Sequence, residues 1–308
     1  MRSSERESGH ADRSTRMALH GALHLWPNGG LFVGADMVNE PHRHFTCSII
    51  VGLDGPIPVR ASPMRDWTPL DGVLVAPNVE QQLDARGRRV ATFQVDPESH
   101  DYARIAHHFG ADRDPGRERS RVLSEQTLAK VRGALRGMTD DARSALDVWS
   151  LTIDELATRG EPRRDLDLRI RKVLELIKGD FLTPPPAGKL AAAVGLSPGR
   201  LIHLFTREMG LPIRRYILWL RLRDVLISVV GGASLTEAAH HAGFSDSAHL
   251  SRTFRGMFGF PPSTIAEGRG RVRLSFDADT TLSERSPHPA VDPERLARAR
   301  AVARLTPL

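Results

Sequence analysis

The side chains best suited to chemistry cluster late in the chain. Ser247, Ala248, His249, Arg252 and Arg255 fall in one short stretch, interleaved with Leu250, Phe254, Met257 and Phe258 at helical spacing. A helix over this stretch buries the apolar set and turns the polar, basic set outward. Arg can pair in two-pronged fashion with guanine O6 and N7, or pair with a phosphate. Ser and His can hydrogen-bond base edges, and Ala fits against a thymine methyl. This is recognition chemistry, not bond breaking. Gly243 ends an earlier helix where φ > 0 is common. Asp246 or Ser245 is placed to cap the next helix by accepting from its free N–H groups. Pro261 and Pro262 stop it. A helix, a tight turn and a second helix with an exposed basic face is the layout of a DNA-reading helix-turn-helix.

The pattern occurs twice. LAAAVGLSPGRLIHLFTREMG upstream parallels AAHHAGFSDSAHLSRTFRGMFG, with turn glycines Gly195 and Gly243 48 residues apart. In the first copy Leu190, Ala193 and Val194 are expected to face inward on its first helix. Ser197 caps the second with Pro198 at its first position, and Leu201, Leu204 and Phe205 form the buried face. Ser234 and Glu237 stand at capping-box spacing ahead of the second copy. PIRRYILWLRLRDVLISVV joins the copies, about 19 residues or roughly 28 Å of helix at about 1.5 Å per residue. That length lets two reading helices lie about one DNA turn, roughly 34 Å, apart. Charge follows the same division. The chain carries +6 in all, and residues 163–270 hold 16 Lys and Arg against 9 Asp and Glu. The positive charge thus belongs to this region, as a polyanionic partner requires.

Residues 17–100 read differently. Short apolar runs broken by Gly, Pro, Asn and Asp predict many strands in a small β-sandwich or barrel, a jelly roll among the forms. His42 and His44 share one strand face, and His20, His24 and Trp26, which share one parity on an earlier strand, are expected to line the barrel interior with them. Over 101–162 the period changes. Leu123, Leu128, Val131, Leu135 and Met138 predict one amphipathic helix, and Leu146, Trp149, Ile153 and Leu156 a second. Their apolar faces suit a dimer contact or packing on the β region equally. Residues 1–16 are charged and Ser-rich and are expected to be disordered, with Met17 an alternative start. Residues 270–308 are expected to form a flexible tail with a short basic helix at 292–305. Cys47 is the single cysteine, so no disulfide forms within the chain, which fits the cytoplasm. No run of about 18 apolar residues suggests a membrane span.

Residues 167–267, above all GFSDSAHLSRTFRGMFGFPPS, resemble the AraC/XylS family of bacterial transcription regulators. The resemblance implies a multidomain α+β protein. Its parts would be an N-terminal cupin-like β-barrel that senses a small molecule (17–100), a helical linker (101–162) and an all-α domain with two helix-turn-helix units (163–269). Carried over position by position, the family's DNA contacts fall on Gly199, Ile202 and His203 in the first reading helix. Arg200, Thr206 and Arg207 flank them toward phosphate. In the second they fall on Ser247, Ala248, His249 and Arg252, with Arg255 on the same face. Gly199 and Ile202 cannot hydrogen-bond a base through their side chains, so sequence discrimination is expected mainly under the second helix. Candidate effector-facing residues are His24, Trp26, His42, His44 and Gln81. In catalytic cupins a Glu follows the His pair and a later strand brings a third His. Here FTCS follows, and Gln81 stands at the later position. No metal, cofactor or catalytic residue is therefore expected. The expected partners are double-stranded DNA, an unidentified small-molecule effector, RNA polymerase and a second copy of the chain, with no membrane. The alternatives are a cupin-type metal enzyme fused to a DNA-binding domain, an alkylation-repair methyltransferase using Cys47, or an effector-independent DNA-binding protein.

Overall fold

The computed structural model describes residues 19–62, 66–109, 119–139, 141–157, 166–266 and 272–276. The expectations for 1–16, Met17 and the helix at 292–305 lie outside these residues. Nine strands come first: β1 (His20–Trp26), β2 (Gly29–Ala35), β3 (His42–Arg43), β4 (Cys47–Gly52), β5 (Ile57–Ala61), β6 (Thr68–Leu70), β7 (Gly72–Val75), β8 (Glu80–Leu83) and β9 (Arg89–Val95). Helix α1 (His100–Ile105), strand β10 (Ser120–Val122) and helices α2 (Glu125–Gly137) and α3 (Ala142–Leu156) follow. The C-terminal helices are α4 (Leu168–Gly179), α5 (Ala187–Ala192), α6 (Pro198–Met209), α7 (Ile213–Val230), α8 (Leu235–His241), α9 (Ser247–Phe258) and α10 (Ser263–Ala266), followed by strand β11 (Val272–Phe276).

The strands form a seven-stranded sheet, β10-β7-β4-β9-β2-β1-β11, and a four-stranded sheet, β3-β8-β5-β6. The barrel expected from the sequence is therefore two sheets whose ladders do not close on each other among the described residues. One apolar layer lies between the sheets, built on Ile50, Ile57, Val59, Val73 and Val90. A second lies between the large sheet and α1–α3, built on Ile49, Val51, Phe93, Val131, Trp149 and Ile153. β4 is buried along its whole length because it serves both layers. Alternation sends Cys47, Ile49 and Val51 toward the helices and Ile50 toward the small sheet. The apolar stripes of α2 and α3 thus pack within the chain. Leu123 precedes α2 instead of opening it, because Ser124 caps that helix by accepting from the Thr127 N–H.

The tail also differs from expectation. Val272–Phe276 is a strand, and it pairs in parallel with β1 over five positions from Gly21↔Val272 to Leu25↔Phe276. His24 Nδ1 lies 2.8 Å from Ser275 Oγ across that pairing. Val272 and Leu274 add to the layer between the sheets. The segment after the helix-turn-helix region thus returns to cover the edge of the N-terminal sheet. An uncovered edge would leave a row of unpaired N–H and C=O groups.

Helices α4–α9 enclose their own core, including Ile170, Leu190, Leu201, Phe205, Leu222, Leu250 and Phe254. In α5 the inward residues are Leu190 and Ala191. Ala193, expected to face inward, is exposed because α5 ends at Ala192 and the chain is already turning toward Gly195.

Candidate nucleic-acid interface and interdomain cavity

The second helix of each helix-turn-helix unit, α6 and α9, is held by local chemistry. Ser197 accepts from the Arg200 N–H, Pro198 occupies the first turn of α6, and Gly210 ends it in the left-handed conformation at φ 76°. Asp246 caps α9 by accepting from the His249 N–H at 2.6 Å, and Gly259 ends it at φ 76°. That backbone bond, followed by one from Ser245, holds the Asp246 carboxyl below its ordinary range. The turn glycines Gly195 and Gly243 have φ 67° and 74°, which a side chain would strain. The capping box of Ser234 and Glu237 is present in full.

Gly199, Arg200, Ile202, His203, Thr206 and Arg207 are all exposed on α6. Ile202 is 47% exposed, a large apolar side chain left in solvent. On α9, Ser247, Ala248, Arg252 and Arg255 are exposed. His249 is half-buried: its ring stands edge-on to Phe244 with centroids 5.2 Å apart, and its Nδ1 lies 3.2 Å from Ser245 Oγ. One of its ring nitrogens is thus occupied in the turn. Arg255 reaches toward Glu40 of the β region at 3.9 Å. Arg221 of α7 is a residue that the sequence reading passed over. Its guanidinium donates to the Leu182 carbonyl at 2.7 Å and to the Gly243 carbonyl at 2.8 Å. It ties the turn of the second unit to the segment that leads into the first.

The β region packs directly on this domain. Phe45 inserts into the α-helical core, with ring centroids 5.4 Å from both Tyr216 and Trp219. The Glu40 N–H donates to the Gly259 carbonyl at 2.7 Å. His44 stacks edge-on to Phe258 at 5.4 Å and to His42 at 4.6 Å. Arg215 donates to Asn78 Oδ1 at 2.8 Å and to the Arg43 carbonyl at 3.1 Å. Farther along the seam, Lys178 Nζ sits 2.5 Å from Glu98 Oε2, and the Tyr216 hydroxyl donates to Glu98 Oε1 at 2.9 Å.

A cavity of about 100 Å³ lies in this seam, its wall mostly apolar. Trp26, His42, His44 and Gln81 line it, so four of the five effector candidates meet in one place. His24 does not line it and is engaged with Ser275 instead. The opposite wall comes from Trp219, Leu226 and Ile227 of α7, Phe258 at the end of α9, Phe260 just beyond it, and Phe276 of β11. Cys47 is fully buried and burial pushes its thiol pKa up, which removes the thiolate that a methyl-accepting nucleophile needs. Among the described residues, no three His, Cys, Asp or Glu side chains gather as a metal set.

Burial sets opposing pH responses at the cavity. It lowers the His42 pKa from 6.5 to about 4, and lowers that of His44 as well. The unfolded chain therefore binds these protons first, so their contribution is complete above 6.5 and is lost in acid, for His42 as pH falls toward 4. For His42 alone the loss is on the order of 3 kcal/mol. Asp96 behaves in the opposite sense. Burial, then the nearby Glu98 charge, raises its pKa from 3.8 to about 7, so its contribution falls as pH rises through that interval. Asp96→Asn should therefore make the loss of stability in acid steeper. Melting temperatures measured from pH 7 to pH 4 should fall farther for the variant than for the wild type. Parallel pH profiles would show that Asp96 does not oppose the histidines.

Fold and site together define a protein in which a β region is packed on a pair of helix-turn-helix units. Residues 190–268 match the family described as a helix-turn-helix domain. The activator RhaS of Escherichia coli O157:H7 is 34% identical over 104 residues, covering 33% of this chain and 37% of RhaS. The activator RhrA of Rhizobium meliloti is 27% identical over 124 residues, covering 39% of this chain and 38% of RhrA. The chain thus spans less than two fifths of the length of these two curated relatives. A crystal structure of an apo ToxT variant from Vibrio cholerae aligns over 76% of this chain and 95% of its own, with a TM-score of 0.52 at 10% identity, a likeness of fold. Over this part the chain is thus similar to helix-turn-helix activators of transcription.

Proposed function

We propose that the chain is a transcription regulator that reads a two-part DNA site with α6 and α9 and senses a small molecule in the seam cavity. The observation that carries this reading is the double duty of α7. One part of it joins the two reading units, and another walls the cavity that the β region closes. A ligand that fits better when α7 stands slightly away from the sheets shifts the pose of both units, by no more than its preference between the two states. The β region then acts as a cupin-like sensor built from two sheets. The regulator works in the cytoplasm, changes how RNA polymerase uses the nearby promoter, and can do so as a homodimer. Its activity is binding, not catalysis. None of the described helices is long and apolar enough to cross a membrane.

Base discrimination should concentrate under α9, where Ser247 and Arg252 are exposed and hydrogen-bonding. The test uses the full chain on promoter fragments beside its gene. Arg252→Ala should weaken specific binding roughly 5–150-fold, about 1–3 kcal/mol, and relax preference at one base position. A uniform loss on all duplexes with a shallower salt slope would make Arg252 a phosphate contact instead. Unchanged binding would remove it from the interface. The sensor half is tested by a transcription reporter. Filling the cavity with Ile227→Trp should lock its output, and an output that matches the wild type in every growth condition would end the sensor reading.

A further inference from the structure

We infer that the seam cavity takes an uncharged small molecule with an apolar body and one hydrogen-bond-donating end, an alcohol or a phenol, whose hydroxyl is received by His42 and Gln81. This rests on the sensor reading above and adds to it the chemistry of the ligand.

His42 and Gln81 are register partners across the β3–β8 ladder. Their side chains therefore leave the same face of the sheet side by side, with Cβ atoms about 5 Å apart. Both line the cavity, both are buried, and each has a polar atom with no partner: His42 Nε2 and Gln81 Oε1. The hydrogen bonds around them establish what those atoms are. His42 Nδ1 lies 2.8 Å from the Glu40 carbonyl, which can only accept, so Nδ1 carries the ring proton. The ring is neutral at pH 7, so Nε2 presents a bare lone pair. The amide of Gln81 is oriented by a short chain. Thr46 and Ser48 both donate to Gln94 Oε1, at 2.5 and 3.1 Å. Having given its only proton, Ser48 Oγ accepts from Gln81 Nε2 at 2.8 Å. Gln81 is left with its carbonyl oxygen unpaired. Besides the unpaired Nε1–H donors of Trp26 and Trp219 and the unpaired His44 Nδ1, the lining thus presents two adjacent acceptors on one sheet face, and a buried acceptor is costly until it meets a donor.

A ligand suited to this pair supplies an O–H or N–H. A carboxylate seated at His42 and Gln81 would put its own lone pairs against these two, and two indole N–H groups elsewhere in the lining do not neutralise a buried charge. The cationic Arg223 on the wall is already set in the field of Asp96 and Glu98. A sugar fits no better, because most of its hydroxyls would face Leu23, Trp219, Ile227, Phe258, Phe260 and Phe276. An apolar cavity of roughly 150 Å³ holds benzene. At about 100 Å³ this one is just short of a single ring. Such a ring enters by pushing outward α7, the end of α9 and β11, and two of these belong to the DNA-binding unit. Ligand size and signal are thereby linked.

The probes are phenol, anisole, toluene and benzoate, four ring compounds differing in one substituent, each added at equal concentration to the full-length protein. Phenol should raise the melting temperature more than anisole or toluene, and benzoate should not raise it. Gln81→Leu, close to Gln in volume but without the acceptor, should narrow the gap between phenol and toluene, His42 Nε2 still accepting. Should that variant fail to fold, nitrogen NMR of the wild type serves in its place, with phenol expected to shift the His42 Nε2 resonance and toluene expected not to. Benzoate binding best would overturn the uncharged class, and equal effects of phenol and toluene would overturn the donor. No shift with any probe would mean that only water bridges the two acceptors, which overturns the assignment. In each of those cases the reporter experiment still decides separately whether the cavity senses anything.

Discussion

Lys178→Met is expected to lower the melting temperature by roughly 5–10 °C and to loosen the β region from the DNA-binding domain. Lys178 on α4 and Glu98 beyond β9 approach to 2.5 Å, with side chains only 11% and 10% exposed. Removing one partner of a buried pair leaves the other charge without compensation and costs about 3–5 kcal/mol. The lower end applies here, because the Tyr216 hydroxyl still donates to Glu98 Oε1 and Arg223 lies in the same field. About 3 kcal/mol corresponds to several degrees in a chain of this size. Adding Glu98→Gln tests the mechanism. If the penalty is a stranded carboxylate, the double variant should recover most of the loss, because the amide oxygen can still accept from Tyr216. If the losses simply add, Lys178 stabilises through its packed methylenes and the pair does not hold the seam.

Expected effects of this kind were open to sequence reading only in part. Most of what is set within one helical turn was legible, the ends of α2 and α5 excepted. Ser197, Ser234 and Asp246 cap as their spacing predicts, and Gly195 and Gly243 take the left-handed turn that only their missing Cβ makes cheap. The binary pattern also identified the buried faces of α6 and α9. What escaped depends on distant partners. β11 pairs with β1 some 250 residues earlier, and no local signal in VRLSF distinguishes an ordered edge strand from a polar tail. The apolar stripes of α2 and α3 gave no choice between a neighbouring molecule and a neighbouring sheet, since a stripe records burial and not what covers it.

The helix α7 carried a signal that periodicity analysis discards. Its buried residues include Tyr216, Trp219, Leu220, Leu222, Val225, Leu226, Ile227 and Val230, which do not fall on one face. A helix that is apolar around most of its circumference needs cover on more than one side. Half of that cover is the helix-turn-helix core and half is Phe45 with the cavity wall. Likewise strand parity put His42 beside His44, while Gln81 was reached only as the position of the later cupin His. Their register against each other, and the α9 end that covers them, came only from the assembled fold.

That cover makes Gly259→Ala the more informative of two otherwise equivalent substitutions. Gly210 and Gly259 end α6 and α9 with the same φ of 76°, so alanine at either carries the same left-handed strain, about 1 kcal/mol. Their surroundings differ. A Cβ on Gly210 meets nothing closer than Pro77 Cβ at 3.7 Å, an ordinary contact. A Cβ on Gly259 would lie 2.5 Å from the Glu40 carbonyl oxygen, 2.7 Å from Asn39 Cβ and 2.7 Å from His42 Nδ1. Backbone cannot yield by a rotamer change, so α9 must back away, disturbing the bond from the Glu40 N–H to the Gly259 carbonyl. Overpacking of this kind adds about 1–3 kcal/mol. Gly259→Ala should therefore melt several degrees below Gly210→Ala in parallel thermal scans. The functional outcome should divide along the helix. Ser247 and Arg252 lie toward the opposite end of α9, so operator affinity should survive largely intact, while a transcription reporter loses its dependence on growth condition. Equal melting of the two variants, with the reporter still responsive, would mean that the seam at Gly259 does not carry the signal from the cavity to the reading helix.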